Sequence, residues 1–278
     1  MSGLCYGETT PTERATMIDP ETLNDNLLIQ DHALASEIEE RARDNFKLFC
    51  EYVLRDESNE ARVRLAPLHI LAIDFVEYCR SIDKFPALQL PYEHGKSAIF
   101  SVAFPLFCLG RNPNITIKLV SASEAIVKTR VKQIRDYIDG KHGGAYNRVF
   151  PHIKADRKTG YSAHQIHVER EVSAFPSVWS HSAMSTGEGG RCGLLILDDV
   201  VTRSNTLAKD IALDIIQAVE GTWMQRVHAG GFAILANTPW TSKDLTAHIT
   251  KSRLKRWCVL RAAVNKTLDG YNIQVYGD

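Results

Sequence analysis

The chain has 278 residues, 44% apolar and 24% charged, a globular balance that excludes wholesale disorder, a collagen-like fibre and low-complexity arrays, and allows one large domain with a sizeable core. Its 33 basic residues equal its 33 acidic ones, which argues against a histone-like protein that coats nucleic acid through net charge. The charge is unevenly placed: residues 1–60 carry 5 basic against 14 acidic side chains, and residues 124–170 carry 10 basic against 5 acidic, a pattern that suits either a local anionic partner or two solvated helix faces.

Residues 1–30 mix Thr, Pro, Asp and Asn without periodicity and are expected to form a flexible arm. From Asp31, a candidate N-cap, apolar residues recur at Leu34, Ile38, Ala42, Phe46, Phe49 and Val53, which predicts a helix to about Leu54. A second helix is predicted after Pro67, with Ile70, Leu71, Phe75 and Val76 on one face. Residues 31–84 thus read as a helical segment, expected to pack beside the pocket of the domain that follows.

Short apolar runs then alternate with amphipathic stretches. Strands are predicted at Ala87–Leu90, Ile115–Val120, Gln165–Val168, Leu194–Leu197, Phe232–Ala236 and Trp257–Leu260. Helices are predicted after Lys96, at Ser123–Ile138, at Leu207–Val219 and after Ser242. This order calls for a mainly parallel α/β sheet over residues 85–265, flanked by helices, with 266–278 a tail. Six cysteines at 5, 50, 79, 108, 192 and 258 form no CxxC pair and read as reduced thiols. With no basic-plus-apolar leader visible, and the apolar stretch Ala98–Leu109 too short to span a bilayer, a cytosolic protein is expected. His164 and His167 lie on a predicted loop and strand without completing ligands, so no zinc site is expected.

The segment richest in chemistry is Pro91-Tyr92-Glu93-His94-Gly95-Lys96-Ser97, between a predicted strand and a predicted helix. In a phosphate-binding (Walker A) loop, backbone N–H groups cradle phosphate oxygens, the Lys reaches the terminal phosphates and the hydroxyl binds Mg2+; Gly95, Lys96 and Ser97 suit those roles. The usual pattern would place Gly at position 90, where this chain has Leu90, so a second element is needed. Leu194-Leu195-Ile196-Leu197-Asp198-Asp199 supplies it as a Walker B strand, apolar throughout and ending in two carboxylates. Asp198 is assigned to Mg2+, partly through water, and Asp199 to the base that orients the attacking water. The run Phe232–Ala236 ends in Asn237-Thr238-Pro239-Trp240, where Asn237 and Thr238 are candidate γ-phosphate sensors or simple helix caps.

At this point the chain resembles the ATPase domain of the large terminase subunit, the DNA-packaging motor of tailed double-stranded DNA bacteriophages. The resemblance spans most of residues 45–265 and rests on five ordered stretches: Pro91–Ser97, Leu109-Gly110-Arg111-Asn112-Pro113 with Ser121-Ala122-Ser123, Leu194–Asp199, Asn237–Trp240 and Asp244-Leu245. It implies a P-loop NTPase fold of the RecA-like, additional-strand (ASCE) type. It also implies ATP and Mg2+ as cofactors, and sequence-independent binding of double-stranded DNA. The implied partners are a portal protein and a small terminase subunit, with action as a homo-oligomeric ring on a procapsid in the host cytoplasm. His69 stands where the family often has a Gln near adenine, and Arg191 where such motors supply an arginine finger to a neighbouring subunit. The Arg that the family carries within the loop is missing, its slots being Tyr92 and Glu93. The family's C-terminal nuclease is not expected in these residues. Candidate DNA contacts are Lys141, Arg148, Lys154, Arg157 and Lys158, and the cluster Lys251, Arg253, Lys255 and Arg256, each equally readable as solvated surface. A two-domain helicase of superfamily 2 and a nucleotide-binding docking module without turnover are the competing classes. The first asks for a longer chain, the second for loss of Lys96 or Asp199.

Overall fold

The computed structural model describes residues 32–171, 174–185, 189–203, 205, 209–240, 245–252, 255–264 and 271–277. The 1–30 arm, Asp31, Asp244 and Arg253 lie outside them. Helices α1 (His32–Ala42) and α2 (Phe46–Val53) replace the single helix expected to Leu54. The break falls at Asn45, whose extended backbone and side-chain acceptor for the Leu48 N–H cap α2, the use for which a short polar side chain is best suited. Helix α3 (Pro67–Ser81) opens with Pro at its first position.

Strand β1 (Phe85–Gln89) leads through the 91–97 loop into a helix that starts at Lys96, passes a π-helical turn at Ala98–Ala103 and continues as α4 (Phe104–Arg111). The widened turn lets the Phe104 N–H reach the Ile99 carbonyl, and so accommodates Pro105, which has no N–H to donate and whose ring would crowd a regular turn. Next come β2 (Ile117–Ser121), α5 (Glu124–Ile138) capped by Ser123, and the short α6 (Ala145–Val149). They are followed by β3 (Gln165–Ile166), β4 (Val178–Ser182), β5 (Cys192–Asp198) and α7 (Lys209–Ala218). Strand β6 (Val227–Asn237), helix α8 (Leu245–Ser252) and strands β7 (Trp257–Val264) and β8 (Tyr271–Tyr276) complete the order.

These strands form one eight-stranded sheet in the order β3-β4-β2-β5-β6-β1-β7-β8, parallel except for the two edge pairs β3–β4 and β7–β8. Three corrections to the sequence reading concern the outer strands. Strand β4 went unpredicted because Val178-Trp179-Ser180-His181-Ser182 is mostly polar, and β8 lies within what was expected to be a tail. The Gln165–Val168 run forms only a two-residue strand, antiparallel to β4.

Successive residues of the central strands divide between two apolar layers. Leu88, Leu119, Leu194, Ile196, Ile234 and Leu260 face the layer that includes α1 to α6. Ala87, Val120, Leu195, Leu197, Leu235 and Val259 face the layer holding Ile215 and Ile216 of α7 and Leu245 and Ile249 of α8. Burial on both sides is why these strands read as unbroken apolar runs. The N-terminal helices therefore share the core of the sheet. Phe100, Phe104 and Phe107 lie within it.

Gly110 belongs to that packing: a Cβ there would stand 2.2 Å from Cδ2 of Phe150, whose ring is enclosed by Phe49, Phe107 and Tyr146. Gly110→Ala should destabilise the fold by about 1–3 kcal/mol through overpacking. Gly221→Ala, where an added Cβ meets nothing within 4 Å, should be close to neutral. Urea titration of both variants checks the contrast.

Candidate functional site

Strand β6 lies between β1 and β5, and its Ala236 is in register with both Leu88 of β1 and Asp198 of β5. The carboxyl ends of the three strands are thus level. The 91–97 loop leaves the sheet here, with the Leu90 N–H donating to the Asn237 carbonyl. Glu93 and Gly95 take left-handed backbone, at φ 59° and 67°, and the chain turns sharply into the helix at Lys96. Pro91 and His94 are half-buried, while Tyr92 and Glu93 are exposed.

Lys96 and Ser97, adjacent on the first helical turn, meet the adjacent carboxylates that end β5. Lys96 Nζ is 2.6 Å from Asp199 Oδ2, and Ser97 Oγ donates to Asp198 Oδ1 at 2.9 Å. Lys96 is only 5% exposed and Asp198 3%. Asp199 has φ 43°, a left-handed conformation that Asp and Asn tolerate better than most residues. Its Oδ1 accepts from the Thr238 N–H at 2.8 Å. Burial first, then the neighbouring Asp199 charge, push the Asp198 carboxyl above the usual carboxylate range, against the opposing pull of Arg130, Lys96 and the Ser97 hydroxyl.

Asn237 and Thr238, at the end of β6, are buried, and the Asn237 amide atoms and Thr238 hydroxyl lack hydrogen-bond partners. Such groups are costly unless a ligand or water completes them. His69 sits under the loop. Its Nδ1 accepts from the Ala66 N–H, so its Nε2 carries the proton and donates to the His94 carbonyl at 3.0 Å. It also lies 3.3 Å from where a Cβ on Gly95 would be. The ring braces the loop with both nitrogens, and burial holds its pKa below the ordinary histidine value.

Arg191 is seven residues from Asp198 but at the other end of β5, roughly 20 Å away at ~3.3 Å per residue. It is exposed beside Gly221, Thr222, Gln225 and Arg226 and cannot serve the Lys96 site of its own chain. Of the basic candidates, Lys141 pairs with Asp136, Arg148 with Glu39 and Arg157 with Asp139, and Arg256 lies over the Phe85 ring. Lys154, Lys158, Lys251 and Lys255 are exposed.

Two side chains escaped the sequence reading. Lys118, the second residue of β2, is fully buried. Its ammonium lies 4.6 Å from the centre of the Trp179 ring and donates to the Gly189 carbonyl at 3.0 Å, tying down the chain that leads to Arg191. Its signal was a charge inside the apolar run Ile115–Val120. Arg130 of α5 brings its Nε within 3.6 Å of Asp198 Oδ2. Its signal was helical spacing, since it falls three residues after Val127 and four before Ile134, both buried.

The donor set suits a hard cation and an anion together: a hydroxyl and a carboxylate oxygen side by side are ligands of the Mg2+ type, and Lys96 is an ammonium placed for phosphate. No protein-family model matches the sequence, and no curated protein matches it. Among solved structures, the large terminase of bacteriophage HK97 is similar over 82% of this chain, with a TM-score of 0.53 and 15% sequence identity. The match covers 45% of that terminase chain. The chain thus has the mostly parallel, RecA-like α/β fold that a phage large terminase contains.

The Asp198 environment predicts a pH signature. A carboxyl whose pKa is higher folded than unfolded binds more protons when folded, so its contribution to stability falls as pH rises from the ordinary carboxylate value through the raised one. Asp198→Asn should therefore make the nucleotide-free protein more stable than wild type at pH 7. The difference should shrink as pH falls toward ~4, as read by denaturant titrations across that range.

Proposed function

We propose that this chain is the ATPase motor portion of a phage large-terminase-like enzyme, hydrolysing ATP to drive double-stranded viral DNA into a procapsid. The observation that carries this reading is the pair of contacts Lys96–Asp199 and Ser97–Asp198 at the carboxyl edge of a sheet with a terminase's fold. The Pro91–Ser97 segment acts as a P-loop and the end of β5 as a Walker B element. Ser97 and Asp198 would hold Mg2+, which would supply charge neutralisation at the phosphates.

The protein's own residues divide the work. Without nucleotide, Lys96 and Asp199 neutralise each other. Binding of the phosphates gives Lys96 a new counter-anion and frees the Asp199 carboxylate, which stays anchored by the Thr238 N–H, to orient and deprotonate a water. The unpartnered Asn237 amide and Thr238 hydroxyl, one and two residues beyond Ala236, register the γ-phosphate. Arg191 faces away from this pocket and acts in the pocket of a neighbouring subunit of a ring, with Lys118 positioning its loop. The reading extends to a portal protein and a small terminase subunit as partners, and to action on a procapsid in the host cytoplasm. Sequence-independent grip on DNA phosphates falls to the exposed lysines.

Two variants separate binding from chemistry. Lys96→Ala should abolish most ATP binding, because the loop has no other lysine or arginine. Asp199→Asn, compatible with the left-handed backbone, should retain ATP and stop turnover. Equilibrium nucleotide titration and phosphate release with DNA present check both, and wild-type turnover by Asp199→Asn would remove the base from Asp199.

Arg191→Ala should leave nucleotide affinity near wild type and lower turnover of the assembled protein by on the order of a thousandfold. Adding Lys96→Ala subunits, which still carry Arg191, should restore part of it. No recovery in demonstrably mixed assemblies would rule out action in trans.

A further inference from the structure

A guanidinium beside the proposed phosphate site belongs to α5, outside the 91–97 loop. Arg130 Nε stands 3.6 Å from Asp198 Oδ2, beyond hydrogen-bond range, and this buried nitrogen has no hydrogen-bond partner. One terminal nitrogen, Nη1, is held at 3.1 Å by Gln133 Oε1, whose amide in turn donates to Glu57. The side chain is 24% exposed, so it is partly open to solvent. It is thus braced from a rigid helix, attracted to Asp198 by charge alone, and left with an unused donor.

The local charges sharpen the point. Lys96 and Arg130 balance Asp198 and Asp199 in two contacts. A polyphosphate entering here meets one loop cation, Lys96, because positions 92 and 93 are Tyr and Glu. If Asp198 and Ser97 hold a metal, Arg130 would lose its counter-ion while its Nε is buried, and a phosphate oxygen would be the anion to replace it. The planar guanidinium fork suits such an oxygen better than an ammonium does.

We propose that Arg130 is a catalytic residue acting in cis: it rests against Asp198 in the nucleotide-free protein and turns to the terminal phosphate of bound ATP, supplying from α5 the guanidinium that the Pro91–Ser97 loop lacks. This rests on the ATPase reading above. It is distinct from the role of Arg191, which is at the opposite end of β5.

The test compares wild type, Arg130→Gln and Arg130→Lys in the full chain, titrating Mg·ATP and Mg·ADP separately with fluorescent analogues and measuring phosphate release with DNA. Arg130→Gln should weaken ATP about tenfold or more and leave ADP within about twofold, because only ATP carries the phosphate that the residue touches. Turnover should fall by on the order of a hundredfold or more. Arg130→Lys should keep part of the preference for ATP, since the charge remains and the fork is lost. Equal weakening of both nucleotides by Arg130→Gln would show that Arg130 only positions Asp198 and would overturn the proposal. So would unchanged binding and turnover in a variant of a protein whose wild type binds and hydrolyses ATP, with the ATPase reading left standing. A wild type that binds neither nucleotide overturns the ATPase reading and this inference together.

Discussion

Two adjacent residues at a helix start meet two adjacent carboxylates at a strand end, and the placement of the functional elements follows from that meeting. Lys96 and Ser97 leave from β1, Asp198 and Asp199 from β5, and the strands are separated by β6. Two strand spacings amount to about 10 Å, a gap that a lysine side chain at the head of a helix can close. The register makes this workable. Leu88, Ala236 and Asp198 are level, and the central residue is an alanine, so no long side chain from β6 stands between the partners.

The sheet can hold buried charges in this geometry because its two apolar layers are extensive. Net stability is a small difference between large terms, and the carboxyl edge spends some of it. Ser121 at the end of β2, Asn237 and Thr238 at the end of β6, and Nε of Arg130 are buried without hydrogen-bond partners, each costing about 1–3 kcal/mol. Asp199 adds left-handed backbone and Asp198 a carboxylate whose ionisation burial opposes. The unmet hydrogen bonds at this edge lie where a ligand could complete them, as happens at functional sites whose local conflicts are offset elsewhere.

The length of β5 separates two tasks. Its carboxyl end holds Asp198 and the chain before its amino end carries Arg191, so a residue close in sequence is placed far from the pocket of its own chain. Lys118 supports that arrangement from β2, with its ammonium against the Trp179 ring and donating to the Gly189 carbonyl. A boxed ammonium of this kind balances desolvation with a hydrogen bond and the ring quadrupole. It also links the Trp223 side of the core to the chain before β5.

Local chemistry made much of this legible in the sequence. Apolar runs buried on both faces announced the central strands, Ser123 and Pro67 announced helix starts, and Gly95-Lys96-Ser97 with Asp198-Asp199 announced the two halves of the site. In each case the signal resides in neighbouring residues and survives without knowledge of the fold. The outer strands β4 and β8 did not announce themselves, because a strand half in solvent carries polar residues and takes its order from its partners. The break at Asn45 was hidden because the apolar period continues across it. Strand order, the level register of β1, β6 and β5, the bracing of the loop by His69, the distance of Arg191 from Asp198 and the approach of Arg130 were decided only in three dimensions. Apart from Arg191 and Asp198, they join residues from 25 positions apart, as His69 and His94 are, to 172, as Leu88 and Leu260 are, and such contacts depend on how layers pack and which strands pair, interactions to which every element contributes and which no single segment encodes.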